Sequence, residues 1–320
     1  MKKVVKFLLI GLGLVALPGI AGFIYIESKG IPKYDVAAPD IEIEVTPEKL
    51  QRGEKLASML CASCHMNRET RSLSGRWMTD APKEFGKIYV PNITQDETYG
   101  IGNWTDGEIL YLLRTGIKKD GSYAPPYMAK LPHMADEDIE SIIAFLRSDH
   151  PMVTPAAVED YPTEPSFLTK FLCNVEFKPF DMPKGKISMP DTTDQVELGR
   201  YLVYNLECYT CHSADFTKLD MMTPENSKGF MGGGNKPLDN DGNPMVTSNI
   251  TPDKETGIGN WSKEQFVKAV RFGLMENEPA LRVPMIPYTQ LTDYEAEAIF
   301  AYIQTIDPIK NDLKRSMIEE

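Results

Sequence analysis

Traced as apolar and polar positions, the chain opens with one unbroken apolar run and then changes to helical periodicity. The run extends from Phe7 to Ile26 without a charge, behind Lys2, Lys3 and Lys6. Roughly 20 residues suffice for a membrane-spanning helix, whereas a secretory apolar region has roughly 7–15. No Ala-x-Ala site closes the run, so residues 1–27 are expected to be an uncleaved anchor. Cleavage after Ala21 or Gly22 is the alternative. The lysines place the N-terminus in the cytoplasm. Further on, apolar residues recur at helical spacing in four places: Leu50, Leu56 and Leu60; Ile139, Ile142, Ile143 and Leu146; Val196, Leu198, Leu202 and Leu206; and Ile299, Tyr302, Ile303 and Ile306. Each set predicts an amphipathic helix. Thr46 before Pro47 marks one helix start, and Thr292 with Glu295 forms a capping box at another. Strand signals are weak throughout, so the expected class is all-α.

The four helices fall into two copies of one pattern. Asn92-Ile93-Thr94 recurs as Asn249-Ile250-Thr251, and Gly100-Ile101-Gly102-Asn103-Trp104 as Gly257-Ile258-Gly259-Asn260-Trp261. Arg114 and Gly116 recur as Arg271 and Gly273, all at an offset of 157. Such self-similarity denotes a duplicated unit. The expected organisation is a linker over 28–45, a first domain over 46–150, a connector over 151–190, a second domain over 191–310 and a tail over 311–320. The connector carries seven prolines from Pro151 to Pro190 and reads as extended chain. Its patch from Phe167-Leu168 to Phe171-Leu172 is expected to pack on a domain.

Each copy is headed by Cys-x-x-Cys-His, as Cys61-Ala-Ser-Cys64-His65 and Cys208-Tyr-Thr-Cys211-His212. Two thiols three positions apart on a helical turn reach the two vinyl groups of a haem as thioethers, and the adjacent histidine lies under the iron. A single match also suits a redox dithiol or half a zinc site. Two matches, each leading the same downstream sequence, point to two covalently bound haem c groups with His65 and His212 as proximal ligands. The cysteines are 147 apart, so the second copy carries about ten extra residues. These are assigned to the Gly/Asn/Pro-rich run Gly229–Pro244, expected to be a surface loop.

The 157 offset also pairs Met128 with Met285, each in a proline-containing loop before the last helix of its copy. A thioether is a soft iron ligand, and both are expected to be sixth ligands. The alternative is ordinary core packing, since the chain has 16 methionines. Met134 and His133 are the rivals of Met128, but the repeat pairs them with Leu291 and Gln290, which do not ligate. Of four histidines two are proximal, leaving His133 and His150. Asn92, Trp104 and Arg114, with Asn249, Trp261 and Arg271, are candidate donors to haem propionates, packing of the tryptophans being the alternative. Cys173 is expected to be a buried free thiol.

Composition narrows the function classes. Of 320 residues, 42% are hydrophobic and 25% charged, as in globular proteins. A net charge of −12 disfavours nucleic acid as a partner, because phosphate binding needs a basic face.

With these motifs the sequence resembles bacterial dihaem cytochromes c. The Asn-Ile-Thr…Gly-Ile-Gly-Asn-Trp run, the Arg-x-Gly and the late methionine are similar to the haem domains of cytochrome c subunits from membrane-bound alcohol and gluconate dehydrogenases. The resemblance covers residues 46–148 and 193–306. It implies two tandem cytochrome c-like haem domains, here after an N-terminal transmembrane helix. The implied function is single-electron transfer between a dehydrogenase or quinol-oxidising complex and an oxidase or another cytochrome. The expected location is the cytoplasmic membrane, single-pass, with the haem domains on the periplasmic side. The competing class is a dihaem redox enzyme, either peroxidase-like with an open sixth site or thiosulfate dehydrogenase-like with a cysteine ligand.

Overall fold

The computed structural model describes residues 2–79, 81–239, 241–276 and 279–313. Helix α1 runs Lys2–Lys29. The first repeat then contributes α2 (Pro47–Leu60), α3 (Ala62–His65), α4 (Asp106–Thr115) and α5 (Asp136–Leu146). After α6 (Phe167–Val175), the second repeats the series as α7 (Gln195–Asn205), α8 (Cys208–His212), α9 (Lys263–Phe272) and α10 (Asp293–Ile303). Strands are two-residue pieces: β1 (Arg76–Trp77) pairs antiparallel with β3 (Tyr89–Val90), and β2 (Gly86–Lys87) with β4 (Glu164–Pro165).

Local chemistry fixes the helix ends in matched pairs. The Thr46 hydroxyl accepts the Lys49 N–H at 3.3 Å and Pro47 follows it. Capping boxes start α4 (Thr105 with Glu108), α9 (Ser262 with Gln265) and α10 (Thr292 with Glu295). Helices α4 and α9 both stop at a left-handed glycine, Gly116 (φ 81°) and Gly273 (φ 70°).

The first and last helices of each repeat cross at a glycine. A Cβ on Gly53 would overlap the Ser141 carbonyl of α5, and one on Gly199 would overlap the Ala298 carbonyl of α10. Leu56, Ala57, Ile139, Ile142 and Ile143 fill the first crossing, and Leu198, Leu202, Val203, Ile299 and Ile303 the second. These residues belong to one buried apolar cluster that runs through both repeats.

The repeats also exchange polar contacts reciprocally. Lys55 Nζ on α2 meets Glu295 Oε1 on α10 at 2.6 Å, and the Tyr201 hydroxyl on α7 donates to Asp138 Oδ2 on α5 at 2.6 Å. Lys55 and Tyr201 are equivalent positions, two residues after the crossing glycines, and Asp138 and Glu295 are equivalent on the partner helices. Arg52 grips Asp138 through two bonds of 2.8 Å and reaches Glu295 Oε1 at 3.5 Å. Asp138 and Glu295 are both buried, and these partners offset the cost of burying two carboxylates.

Four expectations are corrected. Among the described residues no helix is long and apolar enough to cross a membrane, which overturns the transmembrane helix expected over residues 7–26. The last turns of α1 are committed to protein: Ile26 is buried, Phe23 stacks on Phe167 at 4.7 Å, and Glu27 pairs with Lys170 at 2.5 Å. The connector is not wholly extended, because Ser166 caps α6 by accepting the Thr169 N–H at 3.2 Å. The apolar patch of the connector therefore packs on α1, with Phe167, Leu168 and Phe171 still partly exposed. The extra residues of the second repeat lie earlier than expected. Gly75 and Gly233 are equivalent by the bond each sends to its histidine carbonyl, yet Gly75 follows His65 by 10 residues and Gly233 follows His212 by 21. The 11 added residues thus lie within 213–232, and Phe230, Met231 and Asn235 of the expected surface loop are buried. Finally, α10 ends at Ile303, short of Ile306.

Gly53→Ala and Gly199→Ala are each expected to destabilise the fold by about 1–3 kcal/mol or more, as overpacking at a backbone contact does. Chemical denaturation midpoints measure it, with Gly185→Ala, where a Cβ meets open space, as the neutral comparison.

Candidate haem site

Each cysteine helix follows the first long helix of its repeat almost directly. In the first repeat Cys61 comes straight after Leu60. In the second, Glu207 is interposed between Leu206 and Cys208. The crossing glycines are 146 apart and the cysteines 147, so Glu207 is a one-residue insertion. It takes the left-handed conformation, φ 53° and ψ 33°, which sterics disfavour outside glycine.

The two histidines are held identically. His65 Nδ1 lies 2.8 Å from the Pro91 carbonyl oxygen and His212 Nδ1 2.8 Å from that of Ser248, positions equivalent at offset 157. A carbonyl only accepts, so each Nδ1 carries the proton and donates, which leaves the Nε2 lone pair for a metal. Burial pulls the His65 imidazolium down to about 4, against the opposing pull of the Pro91 bond, and lowers that of His212 too. Both rings are therefore neutral at physiological pH.

One continuous cavity of about 1420 Å³ is lined by both motifs: Cys61, Cys64 and His65 with Cys208, Cys211 and His212. A pocket for one small molecule has roughly 300–1,000 Å³. All four cysteines are free thiols, and burial pushes Cys61 and Cys208 up to about 12. Among the described residues no group of three or more His, Cys, Asp or Glu is gathered to hold a metal ion.

Met128 and Met285 both reach the cavity wall. Their loops are built alike, with the Met128 N–H donating to Pro125 O at 3.0 Å and the Met285 N–H to Arg282 O at 3.0 Å. The rivals are placed elsewhere. Met134 is fully buried away from the cavity wall. His133 bonds the Met221 carbonyl at 2.8 Å and lies edge-on to Tyr204, in the contact between repeats. His150 sits near Glu54, 3.6 Å away. Cys173 on α6 is buried and absent from the wall, with its thiol pushed up to about 11.

The polar candidates divide. Arg114 is buried, and its Nη1 donates to the Leu131 and Met134 carbonyls at 2.7 Å while Nη2 meets Asp136 at 2.5 Å. Arg271 pairs with the equivalent Asp293. Neither arginine lines the cavity; each ties its helix to the segment between the methionine loop and the last helix. Asn92 donates to Ala156 O at 2.8 Å and Val158 O at 3.2 Å, and Asn249 to Ile309 O at 2.7 Å. The Asn92 amide is thus spent on backbone beyond the last helix of its repeat, and that of Asn249 is divided between such backbone and the Thr256 hydroxyl at 3.1 Å. Asn249 and Trp261 border the cavity, whereas Asn92 and Trp104 do not.

Cations that the repeat comparison missed occupy the wall instead. Lys118 and Arg282 line the cavity, and their counterparts at offset 157 are Met275 and Pro125. Equivalence between copies was the search signal, so unpaired positions escaped it. In a predominantly apolar wall these two cations suit the propionate carboxylates of haem. Lys130 Nζ donates to Pro125 O at 2.9 Å and lies 4.9 Å from the Tyr123 ring centre, and burial pulls its ammonium down to about 7. Burial pushes Glu207 up to about 7, with Lys130 opposing.

Residues 50–149 match the cytochrome c family. They form a cytochrome c domain. Such a domain holds haem c covalently, and the cysteines, the Nε2 of His65 and Met128 fit it. The chain is 29% identical over 274 residues to the fructose dehydrogenase cytochrome subunit of Gluconobacter japonicus, covering 80% of this chain and 52% of that one. It is 28% identical over 272 residues to the cytochrome c subunit of the alcohol dehydrogenase (quinone) of Gluconacetobacter polyoxogenes, covering 81% and 56%. The chain spans about half the length of these two relatives. A diheme cytochrome c-type protein of Cereibacter sphaeroides is 28% identical over 323 residues, covering 94% of this chain and 98% of that one. The resemblance to dihaem cytochromes c and to dehydrogenase cytochrome subunits therefore holds.

Met128→Ala should abolish the methionine-to-iron charge-transfer band of the cytochrome c domain in the near infrared and open its reduced iron to carbon monoxide. Met134→Leu should leave the spectrum unchanged. The band surviving Met128→Ala but not Met134→Leu would transfer the ligand role to Met134.

Proposed function

We propose that the chain carries two covalently bound haem c groups, each with one histidine and one methionine ligand, and acts as an electron-transfer protein rather than an enzyme. The observation that carries this reading is the matched placement of His65 with Met128 and His212 with Met285 around one cavity. Bound haem supplies a ferrous–ferric couple, and the protein sets its potential and access. The chain offers a soft sulfur at both sites, which leaves no open position for peroxide. Cys173 lies off the wall, so no thiolate is on offer for thiosulfate chemistry.

The relatives named as dehydrogenase cytochrome subunits support a redox partner of that kind, a dehydrogenase delivering electrons that pass on to an oxidase or another cytochrome. A surface with net charge −12 suits steering toward a basic docking face. Covalent haem attachment, on this reading, supports a location on the exported side of the cytoplasmic membrane.

Haem counting tests the reading. Wild-type protein should give two haems per chain by pyridine haemochrome assay, and Cys64→Ala and Cys211→Ala one each. The oxidised protein should show the near-infrared methionine band, and the reduced protein should not bind carbon monoxide. One haem in the wild type, or a high-spin iron in the native state, would overturn it.

A further inference from the structure

The two sites are alike in ligands and unlike in charge. Near the first, Lys118 lines the wall and Lys130 stands two residues beyond Met128; their counterparts, Met275 and Pro287, are uncharged. Arg76 follows Gly75 and donates to the Ser63 carbonyl at 3.1 Å, inside the first haem motif. Its charge is felt at His65, where it disfavours the imidazolium. The residue after the equivalent Gly233 is Gly234. Near the second site the additions are Arg282, a cation, and the inserted Glu207, an acid next to Cys208 on the same wall. On the cavity wall itself the first site thus has one cation, Lys118, with Asp120 and Asp160 behind it within electrostatic reach, and the second has one cation and one acid.

Haem iron gains a positive charge on oxidation. Cations held nearby disfavour the ferric form and a carboxylate favours it, more strongly in a low-dielectric interior than in water. Ligand sets that match in type leave these charges as a principal difference between the sites. We propose that Lys118 and Arg76 on one side and Glu207 on the other set the order of the two potentials, with the site of His65 and Met128 the higher. An electron shared by the two sites then rests preferentially at the first. This rests on the two-haem reading above and adds an order to it.

The backbone at Glu207 supports a selected role. A non-glycine residue at φ 53° costs conformational energy, and the first repeat makes the same junction without it. The insertion nonetheless delivers a carboxylate to the cavity.

The test is spectroelectrochemical titration of the full-length holoprotein. Met128→His and Met285→His, each of which should move one midpoint downward, assign the two waves. Lys118→Met should lower the first midpoint and leave the second nearly in place, with Lys118→Arg retaining the wild-type value. Glu207→Gln should raise the second midpoint. A wild-type second site at or above the first, or midpoints unmoved in both Lys118→Met and Glu207→Gln, would overturn the proposal. Two methionine-ligated haems with the order reversed would sink this inference alone, whereas absence of the methionine bands would sink the two-haem reading itself.

Discussion

The constraint on which both repeats depend is the backbone contact at which the first and last helices of each repeat cross. No side chain fits between Gly53 and the Ser141 carbonyl, or between Gly199 and the Ala298 carbonyl. That contact lets α2 lie against α5, and α7 against α10, at a separation only glycine permits. The apolar residues one turn on either side then interdigitate, and the cysteine helix, which follows within two residues of the first long helix, inherits its direction. His65 and His212 consequently enter the same cavity from equivalent positions. Arg114 and Arg271 tie α4 and α9 to Asp136 and Asp293, at the start of the last helix of each repeat.

Duplication accounts for the single cavity. Lys55 to Glu295 and Tyr201 to Asp138 are one contact made twice, each repeat giving what it receives. Such reciprocity is how a two-fold interface is built between identical subunits, here reproduced between two halves of one chain. The chemistry of the two halves has diverged, an ion pair in one and a phenol-to-carboxylate bond in the other. Arg52 links them by touching both carboxylates. The added segment of the second repeat joins the same seam, where Met221 takes the His133 hydrogen bond and Glu225 meets Tyr204 and Tyr302.

What the sequence made legible follows from the kinds of signal it contains. Cys-x-x-Cys-His, Thr46-Pro47 and the Thr292–Glu295 box are local devices whose geometry is written in adjacent residues. Met128 and Met285 emerged from an offset, and the offset holds because their loops share the same backbone turn. Equivalence does not reveal role, however. Asn92 and Arg114 are as well matched as the methionines, yet they serve backbone carbonyls at Ala156, Val158, Leu131 and Met134 that no periodicity announces. The N-terminal run illustrates the opposite limit. Its hydropathy is plain, but the Glu27–Lys170 pair and the Phe23–Phe167 stack that dock its end on α6 join residues more than 140 positions apart.

Symmetry and asymmetry therefore occupy different layers of the structure. The crossing glycines, capped helices, histidine tethers and methionine turns recur because each is a packing or hydrogen-bonding solution that either half needs in order to fold around its site. Charged groups at the cavity wall are not matched between the repeats: Lys118 corresponds to Met275, Arg282 to Pro125, and Glu207 exists only in the second half. Two equal sites with equal surroundings would hold an electron equally well. Changing a few side chains around the cavity alters the electrostatics of each half without disturbing its helices, because the altered positions lie on loops and at one helix junction rather than at the crossings. A duplicated scaffold can thus acquire a direction while keeping its fold.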